Sequence, residues 1–314
     1  MALLTFFVKR LIWLLLTLWV VFTISFVLMR IVPGGPYSEE RKTTPEIERN
    51  IRARYHLDEP LLTQYALSIP IRFRAELPFV IIDFGHSYKL EDYNVNEVIM
   101  QGFPVSASLG IFAMVFALVI GTSAGIISAI RRNTLFDYAA MAIATVGIAV
   151  PNFVIASLAI ILFVFMIHVF PAGGWGTVQQ LVLPAICLGI AFAGSIARLT
   201  RTGMMEVLSQ DYIRTAYAKG LSERAVVIKH ALRGALIPVV SYLGPATAGV
   251  LTGSLVLERI FALPGMGSHF IEAALQRDYP MAMGMIMVYT TLLFSMNALV
   301  DLSYAILDPR VKIE

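Results

Sequence analysis

Five stretches free of Asp, Glu, Lys and Arg, at residues 11–29, 98–130, 138–197, 234–257 and 279–300, constrain this chain more than any other feature. Each reaches the roughly 18 residues that a helix needs to cross hydrocarbon. Charged residues make up 14% of the chain, against about a quarter in a soluble domain, so it reads as a polytopic membrane protein. The run at 138–197 is too long for one helix and is interrupted at Phe170-Pro171-Ala172-Gly173-Gly174-Trp175-Gly176, a cluster of helix breakers that reads as a turn. It divides into two spans. The expectation is an all-α membrane protein with six transmembrane helices.

Orientation follows from the basic residues, which insertion tends to retain in the cytoplasm. With both termini cytoplasmic, 13 of the 24 Lys and Arg residues fall on that side, including Arg131 and Arg132 in the short loop 131–137 and seven between Arg198 and Arg233. The short loop at 168–180 carries none. Residues 11–29 exceed the 7–15 residues of a signal-peptide core, and no small-x-small site precedes Pro33, so the first helix is expected to be retained. Cys187 is the one cysteine and lies in a hydrophobic span, which excludes an intrachain disulfide. The net charge of +3 comes from basic residues grouped at span ends, a topology signal that argues against nucleic-acid binding.

The chain divides into a first helix with its cytoplasmic N-terminus (1–32), an external insertion (33–100), a five-helix core (101–306) and a cytoplasmic tail (307–314). In the insertion, Glu39–Arg54 reads as a short helix that ends at Tyr55-His56-Leu57-Asp58-Glu59-Pro60. Phe79-Val80-Ile81-Ile82 has too few apolar neighbours for a core of its own, so the insertion is expected to pack on the membrane domain as a cap. Residues 258–281 form an external stretch with room for a half-helix after Pro264-Gly265-Met266-Gly267. The pairs Gly121/Gly125 and Gly249/Gly253 permit close helix crossing, with packing inside the chain as the default and an interface with a second membrane subunit as the alternative. Pro151-Asn152 reads as a kink.

Catalytic constellations are absent from the sequence. No Gly-x-x-x-x-Gly-Lys-Ser/Thr phosphate loop occurs, so if ATP drives this protein another chain binds it. His56, His86, His168, His230 and His269 are scattered without ligand spacing, and no catalytic, metal or cofactor site is expected. Asp301 is the one ionisable residue placed inside a span; its position near the end of the last helix fits a paired interfacial carboxylate better than a proton relay.

The basic segment 206–234 breaks the hydrophobic pattern. Glu206–Lys219 has helical character, and Gly220 can take the left-handed geometry that ends a helix. Thr215 and Ala216 are small enough for close approach to a partner, while Arg214 and Lys219 can make charge-assisted hydrogen bonds. Ser222 and Arg224 open an amphipathic helix running back toward Pro238. The plain alternative is a membrane-surface helix with its basic face toward lipid headgroups.

Tyr212-Ile213-Arg214-Thr215-Ala216-Tyr217-Ala218-Lys219-Gly220-Leu221 resembles the coupling motif of ABC-transporter permeases, in the Arg-Thr-Ala-x-Ala-Lys-Gly-Leu form of peptide permeases. Where the general motif has Glu-Ala-Ala this chain has Arg214, Thr215 and Ala216, and Pro238 lies five residues later; both departures resemble the peptide-importer branch. Arg30-x-x-Pro33-Gly34-x-Pro36, Tyr55-His56-Leu57-Asp58-x-Pro60, Asp83-Phe84-Gly85-x-Ser87, Gly253–Glu258 with Leu263–Gly267, and Leu307-Asp308-Pro309-Arg310 are similar to the B-type permease subunit of bacterial oligopeptide importers. The resemblance implies the type I ABC-importer permease fold in the bacterial inner membrane. It also implies an oligopeptide substrate and four partners: a homologous second permease, two cytoplasmic ATPases that hold ATP and Mg, and an external peptide-binding protein. Arg214, Thr215, Ala216, Lys219, Gly220 and Leu221 would then dock on an ATPase. A stand-alone proton-coupled carrier or channel is the alternative function.

Overall fold

The computed structural model describes residues 2–31, 53, 58–73, 80–90 and 93–307. The expected helix at 39–54, apart from Ala53, and the Leu-Asp-Pro-Arg ending beyond Leu307 lie outside the described residues. In chain order the elements are α1 (Ala2–Ile31), α2 (Leu61–Ser68), β1 (Ile71–Phe73), β2 (Val80–Ile82) and α3 (Val95–Ile130). There follow α4 (Leu135–Ala149), α5 (Asn152–Met166), α6 (Val178–Leu208), α7 (Asp211–Ala218) and α8 (Glu223–Ala235). The last three are α9 (Ile237–Ile260), α10 (Met266–Gln276) and α11 (Tyr279–Leu307). Among the described residues the fold is nearly all helical, with one antiparallel strand pair that sets Ile71 opposite Ile82.

Among the described residues, four helices are long and apolar enough to cross a membrane: Thr5–Ile31, Val95–Ile130, Val178–Leu208 and Tyr279–Leu299. The number rises to six if α4 with α5, bent by 107°, and α8 with α9, bent by 52°, each make one crossing. The first bend corrects the expected kink at Pro151. Val150 and Pro151 are both extended (ψ 126° and 138°), because proline disfavours helical backbone at the residue before it, and the helix stops outright. Past the break, Ile160–Met166 widens into π-helix, with Ile167 N–H donating to Leu162 O.

Two compact units emerge, Met1–Pro104 with Gly265–Leu292, and Val105–Pro264 with Leu293–Glu314. In the first, Val95, Val98, Ile99, Met266, Ala273 and Met285 form one core. Tyr65 of α2 meets the rings of Phe22 and Phe26 edge-on at 5.3 and 5.1 Å, which seats this part of the insertion against α1. The Asp83-Phe84-Gly85-x-Ser87 motif has a structural explanation. Asp83 Oδ1 accepts from Gly85 N–H at 2.9 Å, which closes the turn at Gly85 (φ 82°). Ser87, fully buried, donates to Asp278, and that carboxylate also accepts from Tyr88 N–H at 3.1 Å and Met281 N–H at 3.3 Å. Asp278 thus caps the start of α11 and pins the 83–90 loop to it.

The second unit is built around α6. A capping box starts it: Gln180 N–H donates to Thr177 Oγ1, and Thr177 N–H donates to Gln180 Oε1 at 3.0 Å. Of its apolar window 61% is buried, so α6 is the central helix of this unit. Hydrocarbon offers no hydrophobic drive between helices, so van der Waals contact at small residues must bring them together. The glycines do this. A Cβ at Gly121 or Gly125 of α3 would stand 2.6 or 2.5 Å from the carbonyl oxygens of Ala193 and Ala197 on α6. On α6 itself, Gly189, Gly194 and Gly203 would meet Ala113 O, Ala144 O and Ala235 O at 2.6, 2.5 and 2.4 Å. The pair Gly121/Gly125 therefore packs within the chain. Among the described residues, a Cβ at Gly249 would meet the Phe192 ring at 3.2 Å, and Gly253 lies outside the residues whose side-chain surroundings are described.

Two carboxylates that bound the charge-free runs are buried at helix ends. Glu258 is fully buried in the last turn of α9, and Asp137 in the first turn of α4 is 2% exposed. The glycine contacts yield a prediction. Gly125→Ala sets a methyl against a backbone oxygen that cannot rotate away and should destabilise the solubilised protein by roughly 1–3 kcal/mol. Gly249→Ala, facing a ring that can shift, should lower the melting temperature much less; equal losses would refute the backbone-contact account.

Candidate coupling site

The segment expected as one helix over 206–219 is two. α6 ends at Leu208 because Ser209 turns its hydroxyl onto Glu206 O (2.7 Å) and Gln210 is extended (φ −75°, ψ 151°). α7 then runs from Asp211 to Ala218, eight residues, with the Asp211 carboxylate in the first turn where the helix dipole favours negative charge. Its end is a Schellman motif. Gly220 N–H donates to Tyr217 O at 2.9 Å, Leu221 N–H donates to Ala216 O at 3.4 Å, and Gly220 holds φ 80°.

The helix has two faces. Ile213 and Ala216, three residues apart, are 1% and 5% exposed and pack with Ala129, Met204, Val226, Val227, Ala231 and Ala235. Ala216 is thereby corrected: its side chain fills this chain's own core and is not offered outward, because the i, i+3 spacing from Ile213 places it on the inner face. Arg214, Thr215, Lys219, Gly220 and Leu221 are exposed, as are Tyr212 and Tyr217, which the sequence reading passed over. Their signal was available, since an exposed aromatic beside a buried Ile at helical spacing belongs to the outer face, and tyrosine is enriched at protein interfaces. Thr215 donates its hydroxyl back to Asp211 O at 3.0 Å. The Arg214 guanidinium lies 3.5 Å from Asp211, but both side chains are more than three-quarters exposed, so this pair holds Arg214 weakly.

α8 returns along the same core. Val226–Ala231 is π-helical, turning Val226, Val227 and Ala231 inward while Ile228, Lys229 and His230 stay exposed. Gly203 of α6 lets Ala235 O approach, fastening the end of α8 to α6.

Beside this block lies an ion pair that sequence reasoning missed. Arg201 Nε and Nη2 donate to Asp137 Oδ1 and Oδ2 at 2.8 and 2.9 Å, a two-pronged contact, with the Asp137 side chain 3% exposed. Ser128 Oγ donates to Asp137 as well, and Asn133 N–H reaches Oδ2 at 2.9 Å. The end of α3, the 131–134 turn, α4 and α6 meet on one carboxylate. Ser128 adjoins Ala129, and Arg201 lies one turn before Met204, so the ion pair is continuous with the core that carries α7. Both charges had passed as loop and topology markers. Asp137→Ala should cost roughly 3 kcal/mol, the low end for breaking a buried pair because a quarter of the Arg201 side chain is exposed. Thermal unfolding of the solubilised chain checks it, and an unchanged transition would show that the pair is not a structural tie.

Two family models match. The "Binding-protein-dependent transport system inner membrane component" model covers residues 121–313, and the corresponding N-terminal membrane component model covers 3–110. The chain is 47% identical to the dipeptide transport system permease protein DppB of Bacillus subtilis, over 95% of this chain and 94% of that one. It is 43% identical to the oligopeptide transport system permease protein OppB of Escherichia coli K12, over 98% of this chain and 99% of that one. Among solved structures, the inward-facing MetNI methionine ABC transporter aligns with a TM-score of 0.56 at 16% identity, over 68% of this chain and 97% of that chain. An amino acid ABC transporter aligns at 0.52 and 14%, over 66% and 93%. At such identities these two show the shared fold, that of ABC-importer permeases. Helices, breaks and relatives agree: the chain belongs to the binding-protein-dependent transport system inner membrane components, as a DppB/OppB-like ABC permease.

Proposed function

We propose that this permease carries peptides inward as one of two paired permease subunits, with one of two ATPases docked on the outer face of α7. The observation that carries the reading is the division of α7 itself: Ile213 and Ala216 sunk in the core, Tyr212, Arg214, Thr215, Tyr217, Lys219 and Gly220 left outside on a helix with a fixed end. A surface helix resting on lipid would present a basic face; this one presents two tyrosines and an Asp211–Arg214 pair, a mixed surface suited to a protein groove. Membership of an ABC permease family supports this over the stand-alone proton-coupled carrier. The peptide substrate is argued from the named DppB and OppB relatives.

Each residue has a part in coupling. Ile213 and Ala216 anchor the helix, Gly220 sets the angle at which the chain leaves it, and Arg214 and Lys219 supply donors to acceptors on the ATPase. ATP, with Mg, is held by the ATPases. Their closure would push α7, and the push would pass through Met204 and the Asp137–Arg201 pair into α6 and α4. An external peptide-binding protein selects the substrate, and both termini lie in the cytoplasm.

Gly220 provides the sharpest test. Nothing lies within 4 Å of a Cβ placed there, so Gly220→Val meets no clash, only the left-handed backbone that a β-branched residue resists at a cost of about 1–2 kcal/mol. Abundance in the membrane should stay near normal, while peptide uptake and receptor-stimulated ATPase activity fall at least fivefold. Lys219→Ala should do less, because an exposed charge contributes little. Full uptake by Gly220→Val would end the assignment. Orientation is checked by cysteine labelling on a Cys187-free background: a cysteine at exposed Leu90 should react with an impermeant reagent added outside spheroplasts, and one at exposed Ser222 should not. Ser87, being fully buried against Asp278, is unsuited to such a probe.

A further inference from the structure

The first unit contains a cavity of about 330 Å³ that the transport reading does not use. One end is polar, lined by Arg30, Gln64, Ser68, Asp83, His86 and Tyr88; the other is apolar, with Phe22, Met283 and Met287. The two ends are separated along α1 and α11: Arg30 lies 5.8 Å from the Tyr279 ring, and Phe22 clusters with Met283 and Met287. Arg30 is the first charge after the apolar run 11–29, so it stands at the hydrocarbon boundary. Phe22 lies eight residues back along α1, about 12 Å at 1.5 Å per residue. From Tyr279 at the start of α11, Met283 and Met287 descend by one and two turns.

Arg30 is held ready by neutral groups. Its Nε donates to Gln64 Oε1 at 3.0 Å, its Nη1 to Phe26 O at 3.4 Å, and its guanidinium lies 3.5 Å from the centre of the Phe26 ring and 5.8 Å from that of Tyr279. No carboxylate of the described residues forms an ion pair with it. A guanidinium has five N–H donors in a planar fork suited to phosphate, and the two bonds above leave donors for a ligand. Asp83, on the same wall, has Oδ1 engaged by Gly85 N–H and Asn94 Nδ2.

We propose that this cavity seats one phospholipid, its phosphodiester on Arg30 and the start of an acyl chain along Phe22, Met283 and Met287. Charge at one end, an apolar floor at the other and an apolar, sparsely buried α1 together fit an amphiphile better than a soluble anion. The size suits the glycerophosphate region and the first part of one chain, with the remainder lying in the bilayer.

The probe is dioleoyl phosphatidylglycerol, titrated into the delipidated full chain in detergent and followed by native mass spectrometry. Wild-type protein should bind one lipid more tightly than the rest, and Arg30→Gln should weaken that site roughly tenfold, the loss expected for a charge-assisted bond to phosphate. Met287→Trp, which fills the apolar end and leaves Arg30 alone, should weaken it too, so the proposal stays testable if Arg30→Gln folds poorly. Soluble glycerol 3-phosphate at the same concentration should not displace the lipid. Unchanged lipid binding in both variants would overturn the proposal. So would equal competition by glycerol 3-phosphate, which would make the site one for free phosphate esters, or displacement by trialanine, which would make it a peptide subsite.

Discussion

The second unit depends on how closely helix backbones can approach α6. In hydrocarbon a leucine surface attracts lipid as well as it attracts another helix, so association rests on dense contact and on the few polar pairs available. Glycines on α3 and α6 bring neighbouring carbonyls to where a methyl would collide. Direct backbone approach fixes the register of one helix on another, because there is no side chain between them to change rotamer. The Asp137–Arg201 pair works within that arrangement. Its two-pronged geometry requires α4 and α6 to be already in place, and its burial makes any displacement that separates the charges costly.

Four residues explain where α7 starts and stops. Ser209 and extended Gln210 release the chain from α6, Asp211 starts the new helix, and Gly220 stops it with the one backbone geometry that closes both terminal hydrogen bonds. A variant that lengthened α7 by a turn would carry Lys219 and Leu221 to a different face. The short length is therefore part of what the segment presents.

Much of this architecture was legible beforehand because hydrophobicity and charge act on whole spans. The runs at 98–130 and 279–300 became α3 and α11, the breakers at 170–176 separated α5 from α6, and Gly220 took the left-handed conformation expected of it. The failures were local. A proline kink and a proline break look alike in sequence; only the packing after Pro151 decides that the turn is 107°. Ser209 was read through as helix because its competing bond to Glu206 is a matter of rotamer. Ala216 was offered to a partner because smallness suits a docking surface and a buried core equally, and its burial depends on Val226 and Ala235, which arrive later in the chain. Asp137 and Arg201, far apart in sequence, carry no mark of their pairing, nor do Ser87 and Asp278.

An eight-residue helix is below the length at which helices hold together alone in water. α7 therefore exists because Ile213 and Ala216 are buried, and it cannot be pushed or pulled independently of what buries them. That rules out a flexible lever hinged at Gly220. A force on Tyr212, Arg214 or Lys219 moves Ile213 against Met204 and Ala216 against Val226 and Ala235, and Gly203 holds Ala235 against α6 with no slack. Arg201 lies one turn before Met204 on α6 and is clamped to Asp137 at the head of α4. The outer face of one short helix is thus continuous through packed side chains with α6 and α4, and under the proposed coupling role Gly220 would aim that face rather than bend.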